Sequence, residues 1–317
     1  MLPHSELAPP RGKTDITKLR FLTAWLVLAF WVSLSALSAA ASGDWTFLAE
    51  RLSTDGFPRH EVEGFFVRPE VVFHPDVMTG KLKELLQARD REANPPAAVP
   101  RSATYRGFLT NQTINRALAF ARENRALLQQ ATSRHQVPME IIVSILLVET
   151  RLGDETGQHF AFNRLASMAA CRDLEIVRPY LALDLVTAEN EAFLRRHSRE
   201  KADWAYEELK ALLLYARREG IDPISLRGSM YGAIGLCQFM PSNLLVFGID
   251  ADGDGRLDPF SKPDAMHSIA NYLRCHGWRD DLDRESQRKV IFAYNHSTIY
   301  VNTVLAIAER MREQRKP

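Results

Sequence analysis

The stretch VSILLVETRLG, residues 143–153, sets one carboxylate, Glu149, into an otherwise apolar helical pattern. Ile142, Ile145, Leu146 and Glu149 follow the i, i+3, i+4, i+7 spacing of a single helix face. A carboxyl held against apolar neighbours is disfavoured in its charged form, so its pKa rises and it can keep a proton near neutral pH. Such a group can act as general acid toward a leaving oxygen. The alternative is a helix-end glutamate paired with Arg151 or another base.

Three further segments carry chemistry-bearing types. RGSMYGAIGLCQFMPSN, 227–243, places Gly228, Gly232 and Gly235 among apolar residues with a single amide, Gln238; close glycines let the backbone approach another surface or a bulky ligand. AYNHSTIY, 293–300, offers Tyr294, Asn295 and Tyr300, two flat rings and an amide of the kind that holds a sugar. Between them DADGDGRLDPFSKPD, 250–264, puts Asp250, Asp252 and Asp254 at positions 1, 3 and 5 of a calcium loop, with Gly255 at the sharp turn and Arg256 offering its carbonyl. Ser261 stands where the bidentate Glu is expected, so Asp264 must close the coordination in a longer loop. Calcium there would be structural, since the loop carries no catalytic group of its own.

Helical periodicity dominates the elements that must position these groups. Residues 46–88 read as helices with a turn at TDGFPRH, a small helical lobe, and the Pro-rich REANPPAAVPRS at 91–102 as an extended connection. One helical stretch is expected over NQTINRALAFARENRALLQQATSRH and another from Pro138 to about Arg151, with more at about 204–219, 264–276 and 287–312. Nothing alternates long enough to demand a large sheet, so the domain is expected to be mainly α. Its boundaries are 1–43, 44–100 and 101–317.

The chain has 317 residues, 46% hydrophobic and 25% charged, with formal charge +1. Arg11, Lys13, Lys18 and Arg20 against Glu6 and Asp15 place that small excess in the first 43 residues, and a near-neutral remainder argues against a nucleic-acid partner. From Phe21 to Gly43 no residue is charged, and the stretch follows a basic start: an export signal, cleaved after Ala39-Ala40-Ala41 or retained as an inner-membrane anchor. The Ser and Ala content rising toward its end favours cleavage. No cysteine follows this segment, which excludes lipid attachment there. Cys171, Cys237 and Cys275 match no zinc or redox spacing, allow at most one disulfide within the chain, and read as small buried hydrophobes.

VETRLG, GSMYGAIGLCQFMPSN, DADGDGRLDPFSKPDAMHSIANYLRCHGW and YNHSTIY together resemble, in order and spacing, the membrane-bound lytic transglycosylase B family of bacterial cell-wall enzymes. The resemblance extends over roughly 101–312 and implies a goose-lysozyme-like α fold with a deep glycan cleft and an EF-hand-like calcium loop at 250–264. It implies a lytic transglycosylase of the periplasm whose partner is peptidoglycan, with no organic cofactor. By the resemblance Glu149 is the single catalytic acid, and Tyr105, Ser229, Gln238, Tyr294, Asn295 and Tyr300 line the cleft. The calcium ligands fall on Asp250, Asp252, Asp254, Arg256 and Asp264. Departures are Leu152 where the family often has Trp, Cys237 where it has Gly, and RDDLDRESQRKVIFA in place of a long, partly β insertion. Other readings are a hydrolytic muramidase using Asp154 or Glu155 as second carboxylate, a non-catalytic wall-binding scaffold that guides other cell-wall enzymes, and, weakest, a calcium sensor.

Overall fold

The computed structural model of the protein describes residues 45–93, 102–182 and 184–315, and these are mostly helical. The expected export segment and most of the Pro-rich connection lie outside the described residues. Among the described residues no helix is long and apolar enough to cross a membrane.

Helices α1 (Thr46–Thr54), α2 (Arg59–Phe66) and α3 (Pro75–Ala93) come first, with the expected turn between α1 and α2. Trp45 stacks on Phe66 at 5.2 Å, and Phe65 and Phe66 both meet Phe162. These helices therefore share a core with the later part of the chain, within one compact unit Trp45–Pro317.

The periodic stretch after the connection forms two helices rather than one, α4 (Asn111–Glu123) and α5 (Arg125–His135). Between them Asn124 turns its side-chain amide back to the Phe120 carbonyl at 2.9 Å, a local bond that competes with helix continuation. Helix α6 (Met139–Thr150) has Pro138 at its N-cap, and every residue from Ile141 to Leu147 is buried. A helix apolar all round belongs in the middle of a core. It is followed by α7 (Ala161–Ala170), the short α8 (Leu174–Val177) and α9 (Glu191–Glu219). Helix α9 starts well before the expected 204 because its early core contacts are the widely spaced Leu194, Ser198 and Ala202, which leave little apolar signal in a charged run.

The chain continues through α10 (Pro241–Phe247), α11 (Lys262–Cys275), α12 (Arg284–Tyr294) and α13 (Thr298–Arg315). The helix expected over 287–312 is broken at Asn295, whose backbone is extended. Two layers result. Helix α6 packs chiefly on α13 and also on α4, α5 and α11, while α7 packs chiefly on α9. Among the described residues the only strands are β1 (His159–Phe160) and β2 (Arg227–Gly228), paired antiparallel with His159 opposite Gly228.

Candidate active site

Glu149 lies in the last turn of α6, below the buried side chains of Ile142, Ile145 and Leu146. It is half-buried, and its Oε1 accepts a 2.6 Å hydrogen bond from the Tyr300 hydroxyl on α13. Its Oε2 has no hydrogen-bond partner, and no Lys, Arg or His nitrogen reaches its carboxylate, among the described residues. Burial raises its pKa to about 7, against the smaller opposing effect of the Tyr300 bond. Arg151 turns instead to the Phe108 ring, 4.2 Å from its centroid.

The chain leaves α6 abruptly. Arg151, Leu152 and Gly153 have φ of +53°, +66° and +107°, so three successive residues take the left-handed region and direct the backbone away from the helix axis. Two of them carry side chains, which costs about 1 kcal/mol each. The turn is held from outside: Arg116 donates to the Arg151 carbonyl at 2.7 Å and pairs with Asp154, while Leu152 is buried.

The glycine-rich segment lies against this turn. At Gly157, φ is +97° and a Cβ would stand 2.2 Å from the Gly228 carbonyl carbon and oxygen, so the two backbones touch where only glycine fits. Ser229 Oγ accepts from Ala233 N at 3.0 Å and Tyr231 N at 3.3 Å, and so caps the turn. Gln238 has φ +47° and gives Nε2 to the carbonyls of Gly235 (2.8 Å) and Thr156 (3.1 Å). Both partners are acceptors, which fixes the amide orientation and leaves Oε1 an acceptor with no hydrogen-bond partner among the described residues.

Tyr294 and Tyr300 lie side by side, their rings nearly parallel at 8° with centroids 6.3 Å apart. The Tyr294 hydroxyl donates to the Cys237 carbonyl at 2.6 Å. Burial raises both phenols well above their ordinary range, so both hydroxyls are protonated donors. Asn295, at the break between α12 and α13, is half-buried, and its side-chain amide has no partner among the described residues. The Tyr105 N–H donates to Thr303 Oγ1 on α13 at 2.8 Å, which brings Tyr105 close to the helix that carries Tyr300. Thr150, which no sequence feature singled out, is fully buried beside Glu149 and donates to the Leu236 carbonyl at 3.1 Å.

In the aspartate loop one carboxylate oxygen each from Asp250, Asp252 and Asp254 falls within 4.8 Å of the others, all exposed. Three hard oxygens so gathered suit a divalent cation of the calcium type. Asp264 does not join that group. Its buried carboxylate accepts from Ala251 N at 2.9 Å and Asp258 N at 2.8 Å, pinning the loop from behind. Arg256 N donates to Asp254 Oδ1 at 2.8 Å. Tyr215 and Glu219 of α9 hold Leu257 O and N, and the Pro259 carbonyl accepts from Leu236 N at 2.8 Å, so the loop braces the glycine-rich segment.

A model of the transglycosylase SLT domain matches residues 42–290. The chain belongs to that family. This SLT-domain chain is 28% identical over 239 residues to membrane-bound lytic murein transglycosylase B of Escherichia coli K12, an alignment covering 73% of this chain and 56% of that protein. The chain thus spans little more than half the length of the curated relative it matches. Its fold is similar to that of soluble lytic transglycosylase SltB1 from Pseudomonas aeruginosa, with a TM-score of 0.61, 24% identity and coverage of 85% of this chain and 98% of that one. It is likewise similar to Escherichia coli lytic transglycosylase Slt35 in complex with calcium, with a TM-score of 0.63, 22% identity and coverage of 87% and 96%. The mainly α, lysozyme-like fold expected from the resemblance is the fold observed.

The departures from the family pattern have local explanations in this SLT-domain chain. Leu152 fills the αL turn and is buried there, and Cys237 is a buried thiol pushed up to about 12 by desolvation. Residues 276–283 alone join α11 to α12, where a longer insertion was expected to be missing. Cys171 is buried as expected, but Cys275 is exposed near the end of α11, and all three cysteines are free thiols. The reading of Cys275 as a buried hydrophobe is therefore corrected: it lies on the outer face of an amphipathic helix.

Proposed function

We propose that this chain is a lytic murein transglycosylase that cleaves the β-1,4 bond between N-acetylmuramic acid and N-acetylglucosamine and leaves 1,6-anhydromuramoyl ends. The observation that carries this reading is the state of Glu149: half-buried, its pKa raised to about 7, one oxygen held by Tyr300 and the other open. Most glycosidases need two carboxylates, one of them to activate water or attack the sugar. Of the two candidates for a second carboxylate, Asp154 is exposed and engaged by Arg116, and Glu155 is exposed, which favours a mechanism with one acid.

In that mechanism Glu149 gives its proton to the glycosidic oxygen as the bond from the anomeric carbon to that oxygen breaks. The carboxylate so formed takes the proton of the same sugar's 6-hydroxyl, whose oxygen bonds to the anomeric carbon and closes the anhydro ring. No water is consumed. The open amide of Asn295 would stabilise developing charge, and the half-buried ring of Tyr294 would carry a sugar face, with Tyr105 alongside; Tyr300, expected in the cleft lining, is fully buried and holds Glu149 instead. Gln238 would accept from an acetamido N–H through Oε1, and Ser229 would hold the turn that presents it.

Asp250, Asp252 and Asp254 would hold calcium, with the Arg256 carbonyl beside them, while Asp264 braces the loop from behind instead of completing the set; the ion's part is to rigidify the loop that braces residues 235–238. The near-neutral chain, the apolar segment after a basic start and the name of its membrane-bound relative support a periplasmic setting, anchored if that segment is retained, with peptidoglycan as partner.

The deciding experiment is digestion of purified peptidoglycan by the protein and by Glu149→Gln, with sugar termini read by mass spectrometry. Anhydro ends, lighter by one water than reducing ends and missing with the variant, support the reading. Reducing ends would establish hydrolysis, and release of nothing would leave a binding scaffold.

A further inference from the structure

Two successive carbonyls of the glycine-rich segment face the two elements that build the acid site. Leu236 O accepts from Thr150 Oγ1 at 3.1 Å, and Cys237 O accepts from Tyr294 Oη at 2.6 Å. The segment has little freedom to slide. Leu236 N is bound to Pro259 O at 2.8 Å, a Cβ on Gly235 would stand 2.3 Å from that same oxygen, and Gln238 is locked at φ +47° by two side-chain bonds. Its carbonyls are thus fixed points against which α6 and α12 are set.

Thr150 is the last residue of α6 and is fully buried. A helical threonine ordinarily satisfies itself with the carbonyl four residues back, and here that contact, to Leu146 O, is the longer of the two at 3.3 Å. The shorter one leaves the helix for Leu236. Immediately beyond it the backbone enters the left-handed run Arg151–Gly153, where a turn under strain would relax if released. The bond therefore stands between Glu149 and the point at which its helix would fray.

We infer that Thr150 is a positioning residue for Glu149: its hydroxyl ties the end of α6 to the Leu236 carbonyl and so sets the depth at which the carboxyl sits. The inference rests on the reading of Glu149 as the catalytic acid. Without the tie the last helical turn loosens, water reaches the carboxyl, and both its protonation and its aim toward the glycosidic oxygen are lost.

The test replaces Thr150 with Val, of equal shape but no donor, with Cys, a weak donor, and with Ser, which keeps the hydroxyl. The Glu149 carboxyl is followed by carbon-13 NMR titration, its signal assigned by its loss in Glu149→Gln. In Thr150→Val it is expected to titrate about one pH unit lower than in the wild type. Turnover of peptidoglycan is expected to show kcat down about 10-fold with KM within about 2-fold. Thr150→Cys falls between, and Thr150→Ser restores both readouts. A Val or Cys variant that titrates and turns over like the wild type overturns the inference, and so does a Ser variant as impaired as Val, since methyl packing would then be the cause. If Val does not fold, the Cys and Ser variants decide in the same way. A shifted titration in a protein that turns over no glycan at all would uphold the positioning role while refuting the catalytic reading.

Discussion

Tyr300 Oη lies 2.6 Å from Glu149 Oε1, joining α13 to the end of α6 through a bond in which a buried phenol is the donor. The bond does two opposed things. It satisfies one oxygen of a buried carboxyl, and by favouring the charged form it holds back the pKa rise that burial causes. Tyr300→Phe should therefore raise the Glu149 pKa above about 7 and move the alkaline limb of the pH–rate profile to higher pH. An unmoved or acid-shifted limb in Tyr300→Phe would contradict this account.

Glu149 also links stability to pH. Its pKa is about 7 in the folded protein against an ordinary 4.5, so between those values the native state binds more protons than the unfolded chain. Stability conferred by the protonated acid is complete below about 4.5 and is lost as pH rises to about 7, by at most about 3 kcal/mol. Glu149→Gln lacks this titration. Urea denaturation at pH 4.5 and pH 8 should show the variant gaining on the wild type at the higher pH, by about 2–3 kcal/mol.

The aspartate loop separates metal binding from loop bracing. Calcium at about 100 times its Kd should stabilise the wild type by about 2.7 kcal/mol, read as a rise in Tm. Asp252→Ala should abolish that gain at little cost without calcium, because Asp252 is exposed and stands among like charges. Asp264→Asn should cost about 1–3 kcal/mol with or without calcium, since an amide has one acceptor oxygen for the two backbone N–H groups of Ala251 and Asp258. A calcium-independent Tm in the wild type would remove the ion from the account.

Two glycines of the same type should respond in opposite ways. Gly157→Ala forces a side chain onto the Gly228 backbone at φ +97° and should cost about 3 kcal/mol or more. Gly64→Ala, in α2 with open space around it, should stabilise by about 0.5–1 kcal/mol. Chemical denaturation of both variants checks the pair.

The helical core was readable because its signals are local. The stretch from Pro138 to about Arg151 declares itself helical by its length, its proline at the start and the glycine just past its end, all local features. Signals failed where a local side-chain bond ended a helix or where core contacts were too sparse to show in the periodicity. Asn124 and Asn295 end helices that the periodicity carries through, and α9 begins in a charged run where the buried residues are the widely spaced Leu194, Ser198 and Ala202.

The sequence by itself determined which groups this protein has for chemistry: a glutamate in an apolar helix, a glycine-rich segment with one amide, a tyrosine pair and a spaced aspartate triplet. Residue type and spacing suffice for that, since each motif lies within one short segment. Only the tertiary structure decided their relations. That Tyr300 holds Glu149, that Tyr294 reaches the Cys237 carbonyl and that Thr150 reaches Leu236 depend on contacts between residues far apart in the chain. Hydrogen bonds and desolvation act over a few ångströms, and which groups come within that range is set by helix packing, not by distance along the sequence.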